Sequence, residues 1–123
     1  ISERKIIKMI KRPDEFKPDL REFMRGGKGV VELKNFASPE DINNKGRMFG
    51  TITLKPGCSI GWHVHEKDSE LFYILKGTAK YSDNGTEATV SAGDVTYCPA
   101  GTGHSIENIG EDTVELVALI VYA

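Results

Sequence analysis

The residues of this chain that could do chemistry are concentrated between positions 57 and 108. All three histidines, His63, His65 and His104, fall there. His63 and His65 are two apart, and on an extended strand residues i and i+2 project from one face, so both imidazoles point the same way. Glu70 follows five residues after His65, beyond the polar run Glu66-Lys67-Asp68-Ser69. A hairpin at that run would return the chain beside its first strand and bring the carboxylate to the imidazole pair. His104 would join them from a distant strand. The four side chains offer three neutral nitrogens and one carboxylate oxygen, a donor set for one divalent transition metal such as manganese, iron, cobalt, nickel or zinc. Four protein donors leave an octahedral ion two positions for bound water or a small-molecule ligand. Ser59, Thr51, Thr53, Tyr97 and Cys98 lie in or near the stretch, but no nucleophile–base pair is set up.

Positioning such a set requires strands, and from Arg47 onward the chain supplies them. Residues 47–54, 60–66, 70–76, 78–82, 86–91, 95–98, 103–108 and 114–122 are rich in β-branched and aromatic residues. Between them stand turn signals: Lys55-Pro56-Gly57, Asp83-Asn84-Gly85 and Ala92-Gly93-Asp94. Many short strands at a spacing of roughly 8–12 residues predict an all-β sandwich or barrel. Asp94 reads as a turn-stabilising acceptor and Asn108 as a loop brace. Upstream, residues 30–36 alternate as a strand. Ser38-Pro39-Glu40-Asp41 reads as a capped helix of one turn. Residues 18–25 are expected to form a short helix, with Pro18 in its first turn, Leu20, Phe23 and Met24 on one face, and Gly26-Gly27 as its stop. Residues 4–10 mix apolar and basic side chains and suit an edge strand.

Strand parity gives a first map of the site. With His63 and His65 inward, Gly61 and Ser59 are inward and Ile60, Trp62 and Val64 outward. With Glu70 inward, Phe72 and Ile74 follow, while Tyr73 and Leu75 face out. Ile106 shares the face of His104. Gly61, Phe72, Ile74 and Ile106 are therefore the expected pocket lining. Trp62, Val64, Tyr73 and Leu75 form an apolar outer face. With the apolar residues of the arm, Ile6, Ile7, Met9 and Ile10, that face predicts a homodimer.

Two spacings carry a family resemblance. Gly57, His63, His65, Glu70 and Gly77 form Gly-x5-His-x-His-x4-Glu-x6-Gly, and Gly93, Pro99, Gly101, His104 and Asn108 form Gly-x5-Pro-x-Gly-x2-His-x3-Asn. Together they resemble the two signature motifs of the cupin superfamily. The resemblance implies an antiparallel double-stranded β-helix, or jelly-roll, barrel that carries one metal on His63, His65, Glu70 and His104. It also implies a single unit, because the 15 residues between Gly77 and Gly93 leave no room for an inserted domain. Cupins include dioxygenases, decarboxylases, isomerases, lyases and epimerases, so the fold sets no reaction. The expectation is a small metal-dependent enzyme acting on an oxygen-rich molecule such as a carboxylate, diketone or sugar derivative. The alternative is a non-catalytic metal and small-ligand binding module, favoured by the absence of an acid–base partner. The run from Gly57 to His65 is also similar to chains considered oxalate-decarboxylase-like. Double-domain decarboxylases carry an arginine just before the histidine pair, however. Here that stretch is Ser59-Ile60-Gly61-Trp62, and the nearest arginine is Arg47 on the preceding strand.

Size and charge bound the rest. A chain of 123 residues suggests one domain, residues 1–123, with an N-terminal arm over 1–29 and a barrel core from about 30 to 123. Sixteen basic and 18 acidic residues give a net charge of −2, which argues against nucleic acid or a polybasic membrane contact. No apolar run approaches the roughly 18–20 residues that span a bilayer. With no signal-peptide pattern either, a cytoplasmic protein is expected. Cys58 and Cys98 are too few for a disulfide scaffold and are expected as separate thiols.

Overall fold

A computed structural model describes residues 9–123. Among the described residues ten strands form in chain order: β1 (Asp19–Glu22), β2 (Val30–Asn35), β3 (Gly46–Leu54), β4 (Ser59–His65), β5 (Asp68–Lys76), β6 (Thr78–Asp83), β7 (Thr86–Ser91), β8 (Val95–Cys98), β9 (Thr102–Glu107) and β10 (Val114–Tyr122). They make two antiparallel sheets. One has six strands in the order β1-β2-β3-β10-β5-β8, the other four in the order β4-β9-β6-β7. This is the all-β jelly roll that the family resemblance implies, within the sandwich-or-barrel class that the spacing of short strands predicts. Along β3, β5 and β10 buried and more exposed residues alternate, as a strand with one face on the core requires. The buried faces meet in one cluster that includes Val31, Ile52, Leu54, Phe72, Ile74, Ile106, Leu116 and Ala118. The β6–β7 hairpin closes on Asn84 and Gly85, both at positive φ (50° and 101°), the backbone that a two-residue turn of this hand needs. Ser38 caps the single turn Pro39–Ile42: its hydroxyl accepts from the Asp41 amide while Asp41 Oδ2 accepts from the Ser38 amide.

Residues 18–25 do not form the expected helix. Asp19–Glu22 is a strand paired with β2, and a single 3-10 turn, Met24–Gly26, follows. Leu20 and Phe23, the intended apolar face, stay largely exposed at 63% and 64%. A short helix needs a surface to bury against, whereas the open edge of β2 offers the backbone a hydrogen-bonding ladder. Residues 1–8, which hold most of the proposed arm strand, lie outside the described residues; Met9 and Ile10 are exposed and outside any strand.

The largest correction concerns the chain after His65. The expected hairpin does not form, because β4 and β5 belong to different sheets. At Glu66-Lys67 the chain crosses from the four-stranded sheet to the six-stranded one, and β5 pairs with β10 and β8. The outer face is corrected with it. Trp62 and Val64 are exposed on the four-stranded sheet, Tyr73 and Leu75 on the six-stranded sheet, so the four do not share one patch. Cys58 and Cys98 are free thiols, as expected.

Candidate metal centre

The two sheets meet over the cluster of candidate donors. His63 and His65 come from β4, His104 from the neighbouring β9, where it lies directly across from His63. Glu70 comes from β5 on the facing sheet and reaches the imidazoles across the barrel interior. One donor atom from each of the four lies within 4.8 Å of every other. His104 Nε2 is 3.1 Å from His63 Nε2 and 3.2 Å from His65 Nε2. Glu70 Oε1 is 3.0 Å from His65 Nε2, 3.0 Å from His104 Nε2 and 3.8 Å from His63 Nε2.

These spacings fit a common ion. An ion bound at about 2.1 Å sets adjacent donors about 3.0 Å apart in octahedral and about 3.4 Å apart in tetrahedral geometry. The far sides of the imidazoles fit as well. His63 Nδ1 donates to the Gly61 carbonyl at 2.8 Å, and His65 Nδ1 donates to Asp68 Oδ1 at 2.6 Å. Both partners can only accept, so each ring carries its proton on Nδ1 and turns the Nε2 lone pair toward the centre. His104 Nδ1 lies 2.8 Å from the Tyr81 hydroxyl, which can accept in the same way. Such outer partners fix the tautomer and raise the basicity of ligating histidines.

The cluster's charge states follow from burial and neighbours. Burial works against ionised Glu70, but its contacts with the His104, His63 and His65 imidazoles outweigh it and hold the carboxyl far below the usual range. Burial likewise opposes ionised Asp68, and bonds from Arg47 and His65 overcome it. The Glu70 contact raises the His65 value despite burial, with Asp68 adding to it. His104 is lowered, mainly by burial. Burial pushes the Tyr81 phenol up to about 12, so its proton stays on.

Five residues of this arrangement were not placed in the site from the sequence, although Arg47 stood out as the arginine nearest to the histidine pair. Asp68 was read as part of a turn, yet it is buried, and its second oxygen accepts from Arg47 Nε at 2.8 Å. Arg47 thereby reaches the site from β3. Tyr81 stands behind His104, and the turn after β1 brings Met24 and Arg25 to the cavity wall. The cavity beside the donors measures about 40 Å3 and is lined by Met24, Arg25, Arg47, Ile52, Ile60, His63, His65, Glu70 and Ile120.

That lining differs from the parity map. Ile60 was expected outward but is 2% exposed and faces the cavity. Ile60 pairs with Ile106 and His63 with His104, so β4 spends one residue more than β9 between the two pairs. The extra residue is a bulge at Gly61-Trp62 that reverses parity upstream of His63. Of the four expected lining residues, Phe72 instead stacks on His104, with ring centroids 5.0 Å apart. Ile74 and Ile106 are fully packed core, and Gly61 holds His63 through its carbonyl. Cys98 lies across from Glu70 on β8, and burial raises its thiol pKa. Its sulfur contacts Thr102 and is not among the four donors.

The cupin domain family model matches residues 50–122, more than half of the chain. The chain belongs to the cupin family. An oxalate-binding protein of Thermotoga maritima is 42% identical to this cupin over 113 residues, covering 92% of this chain and 93% of the relative. A crystal structure from Thermotoga maritima, described as a predicted oxalate decarboxylase, superposes with a TM-score of 0.90 at 42% identity, covering 94% of this chain and all of that one. An oxalate decarboxylase of Arthroderma benhamiae is 33% identical over 105 residues, 79% of this chain but only 23% of the longer relative. Among the described residues no helix is long and apolar enough to cross a membrane.

Proposed function

We propose that this cupin holds one divalent transition metal on His63, His65, Glu70 and His104 and binds a small carboxylate, of the oxalate class, at the positions the protein leaves open. The observation that carries this reading is the wall of the cavity. Apart from the donors it is aliphatic, Met24, Ile52, Ile60 and Ile120, with two arginines, Arg25 and Arg47. Such a wall suits a small anion. Its one carboxylate is Glu70, a candidate metal donor, so among the described residues that line the cavity there is no separate carboxylic acid or base. This favours a binding role over turnover, and the relative named for oxalate binding supports the same class. Metal-dependent turnover is the second reading, favoured by the two positions an octahedral ion would have free.

The test begins with the metal content of protein purified without a chelating column. His65→Ala should lose most bound metal at limiting supply, and unchanged stoichiometry would refute the donor set. Metal-loaded protein should then bind oxalate in a calorimetric titration, and product analysis for carbon dioxide and formate separates binding from decarboxylation. We further propose a homodimer through the outer face of the six-stranded sheet, where Phe49, Tyr73, Leu75, Val95 and Tyr97 are exposed. Light scattering that gives the 13.6 kDa monomer mass at every concentration removes that proposal.

A further inference from the structure

A second cavity opens behind His104, and none of the four donors lines it. β7 is an edge of the four-stranded sheet and β8 an edge of the six-stranded one, and the two do not pair. The cleft between them measures about 370 Å3, within the usual range for small-molecule pockets. Tyr81 of β6 and Thr96 of β8 stand in it, and Ala88 and Val90 of β7 give it an apolar wall. Asp83, at the end of β6, also lines it, and Val95 and Tyr97 make an exposed rim.

Two hydroxyls at the buried end of this cleft lack partners. Thr96 is 7% exposed, and its Oγ1 is the one buried side-chain polar atom among the described residues with no hydrogen bond. Tyr81, buried as well, makes a single side-chain bond, at 2.8 Å to His104 Nδ1. Where His104 turns its Nε2 lone pair to a metal, Nδ1 carries the proton and the Tyr81 oxygen accepts it. The Tyr81 O–H then has no acceptor among the described residues. Thr96 acts on the Tyr81 phenol, so the two hydroxyls are neighbours, but they are not in hydrogen-bond geometry with each other. A buried hydroxyl without a partner is unfavourable. One atom that accepts from Tyr81 and exchanges a bond with Thr96 satisfies both.

The surroundings select the chemistry of that atom. Tyr81 has a proton to give, so an ammonium, which only donates, does not serve. Asp83 has no ion pair among the described residues, so a carboxylate in the cleft meets repulsion. A neutral hydroxyl both accepts and donates. One water meets this need but leaves the Ala88–Val90 wall facing solvent. An alcohol or phenol covers that wall with its own carbon and displaces the water.

We propose that the cleft between β7 and β8 is a second ligand site, which takes a small neutral alcohol or phenol with its hydroxyl between Tyr81 and Thr96, and that it is coupled to the metal centre through His104. The coupling rests on the metal reading above. Without the ion His104 is free to take its other tautomer and accept the Tyr81 proton, and the ligand then loses one bond. Metal therefore strengthens ligand binding, and by linkage the ligand strengthens metal binding by the same factor. The competing account is a small shift that lets Thr96 and Tyr81 bond each other directly, with no ligand.

The experiment titrates phenol, toluene and benzoate into the full chain, metal-free and zinc-loaded, followed by two-dimensional 1H–15N NMR. Phenol should saturate and shift amides among residues 88–97, with toluene and benzoate weaker by at least about tenfold. Thr96→Val keeps the side-chain shape without the hydroxyl and should weaken phenol about fivefold to tenfold. Ala88→Trp fills the cleft from an exposed position and should abolish binding. Zinc should tighten phenol by about fivefold, the worth of one hydrogen bond. Phenol that does not saturate, binds no better than toluene, or is unaffected by Ala88→Trp overturns the site. Unchanged phenol affinity in Thr96→Val gives that hydroxyl to Tyr81 and overturns its role. If Thr96→Val fails to fold, Thr96→Ala decides, and a phenol-to-toluene ratio equal to wild type counts against the site. Equal phenol affinity with and without zinc removes the coupling. A chain that takes up no zinc refutes the donor set instead, and the metal-free titration still decides the cleft.

Discussion

Asp68 offers the sharpest test of how the fold prepares the candidate metal centre. Its two oxygens serve two donors: Oδ1 accepts from His65 Nδ1 at 2.6 Å and Oδ2 from Arg47 Nε at 2.8 Å. In Asp68→Asn the amide has one acceptor for these two donors. Whichever way it turns, its NH2 group opposes either the imidazole N–H or the guanidinium N–H. Either the His65 tautomer loses its anchor or the anchor loses its own support. Loss of an outer partner of this kind typically weakens metal binding about tenfold to a hundredfold, or about 1.4–2.7 kcal/mol. Tyr81→Phe is the comparison. It removes one neutral hydroxyl from His104 Nδ1, so its effect should be the smaller of the two. A competition titration against a chromophoric chelator measures both, with far-UV circular dichroism confirming the fold. The reasoning is refuted if Asp68→Asn binds metal within twofold of wild type while His65→Ala does not bind it.

Two further outcomes follow from other parts of the structure. Asn108 is fully buried; its Nδ2 donates to the Leu54 and Asp112 carbonyls and its Oδ1 accepts from the Gly110 amide. Asn108→Ala strips three backbone groups of their partner, and at about 1–3 kcal/mol for each that stays buried and dry it should cost at least about 2 kcal/mol. Urea unfolding checks this, and a loss under about 0.5 kcal/mol would show that the loop does not depend on the brace. Acid should also destabilise the metal-free protein. Glu70 and Asp68 are held below their ordinary values of 4.5 and 3.8, so their stabilisation is complete above those values and is lost as pH falls through the depressed folded ones. His65 and His104 shift in opposite directions and partly cancel at higher pH. The melting temperature of the metal-free chain should therefore fall steeply below pH 4.5, and Glu70→Gln should flatten that fall. Parallel curves would contradict the assignment.

Much of the centre is legible in the sequence because its signals are local. His63 and His65 share a face through the two-residue strand period, and the same period carries Glu70, Phe72 and Ile74 inward together. Asn84-Gly85 makes its turn from its own backbone preferences. Asp94 accepts from the Ser91 amide three residues away, the short-range bond that a turn acidic residue is suited to make. What only the tertiary structure decided depends on partners distant in sequence. Whether β4 and β5 share a sheet is settled by β10, which pairs with both β3 and β5 and draws Glu70 to the opposite wall. The bulge at Gly61-Trp62 exists only relative to β9, so nothing local to β4 could announce it. Residues 18–25 have a helical pattern of apolar side chains, yet the open edge of β2 takes Asp19–Glu22 as a strand. Asp68 and Arg47 meet 21 positions apart. Their role follows from strand pairing, in which long-range hydrogen bonds and burial outweigh a local preference of roughly 1 kcal/mol or less for each residue.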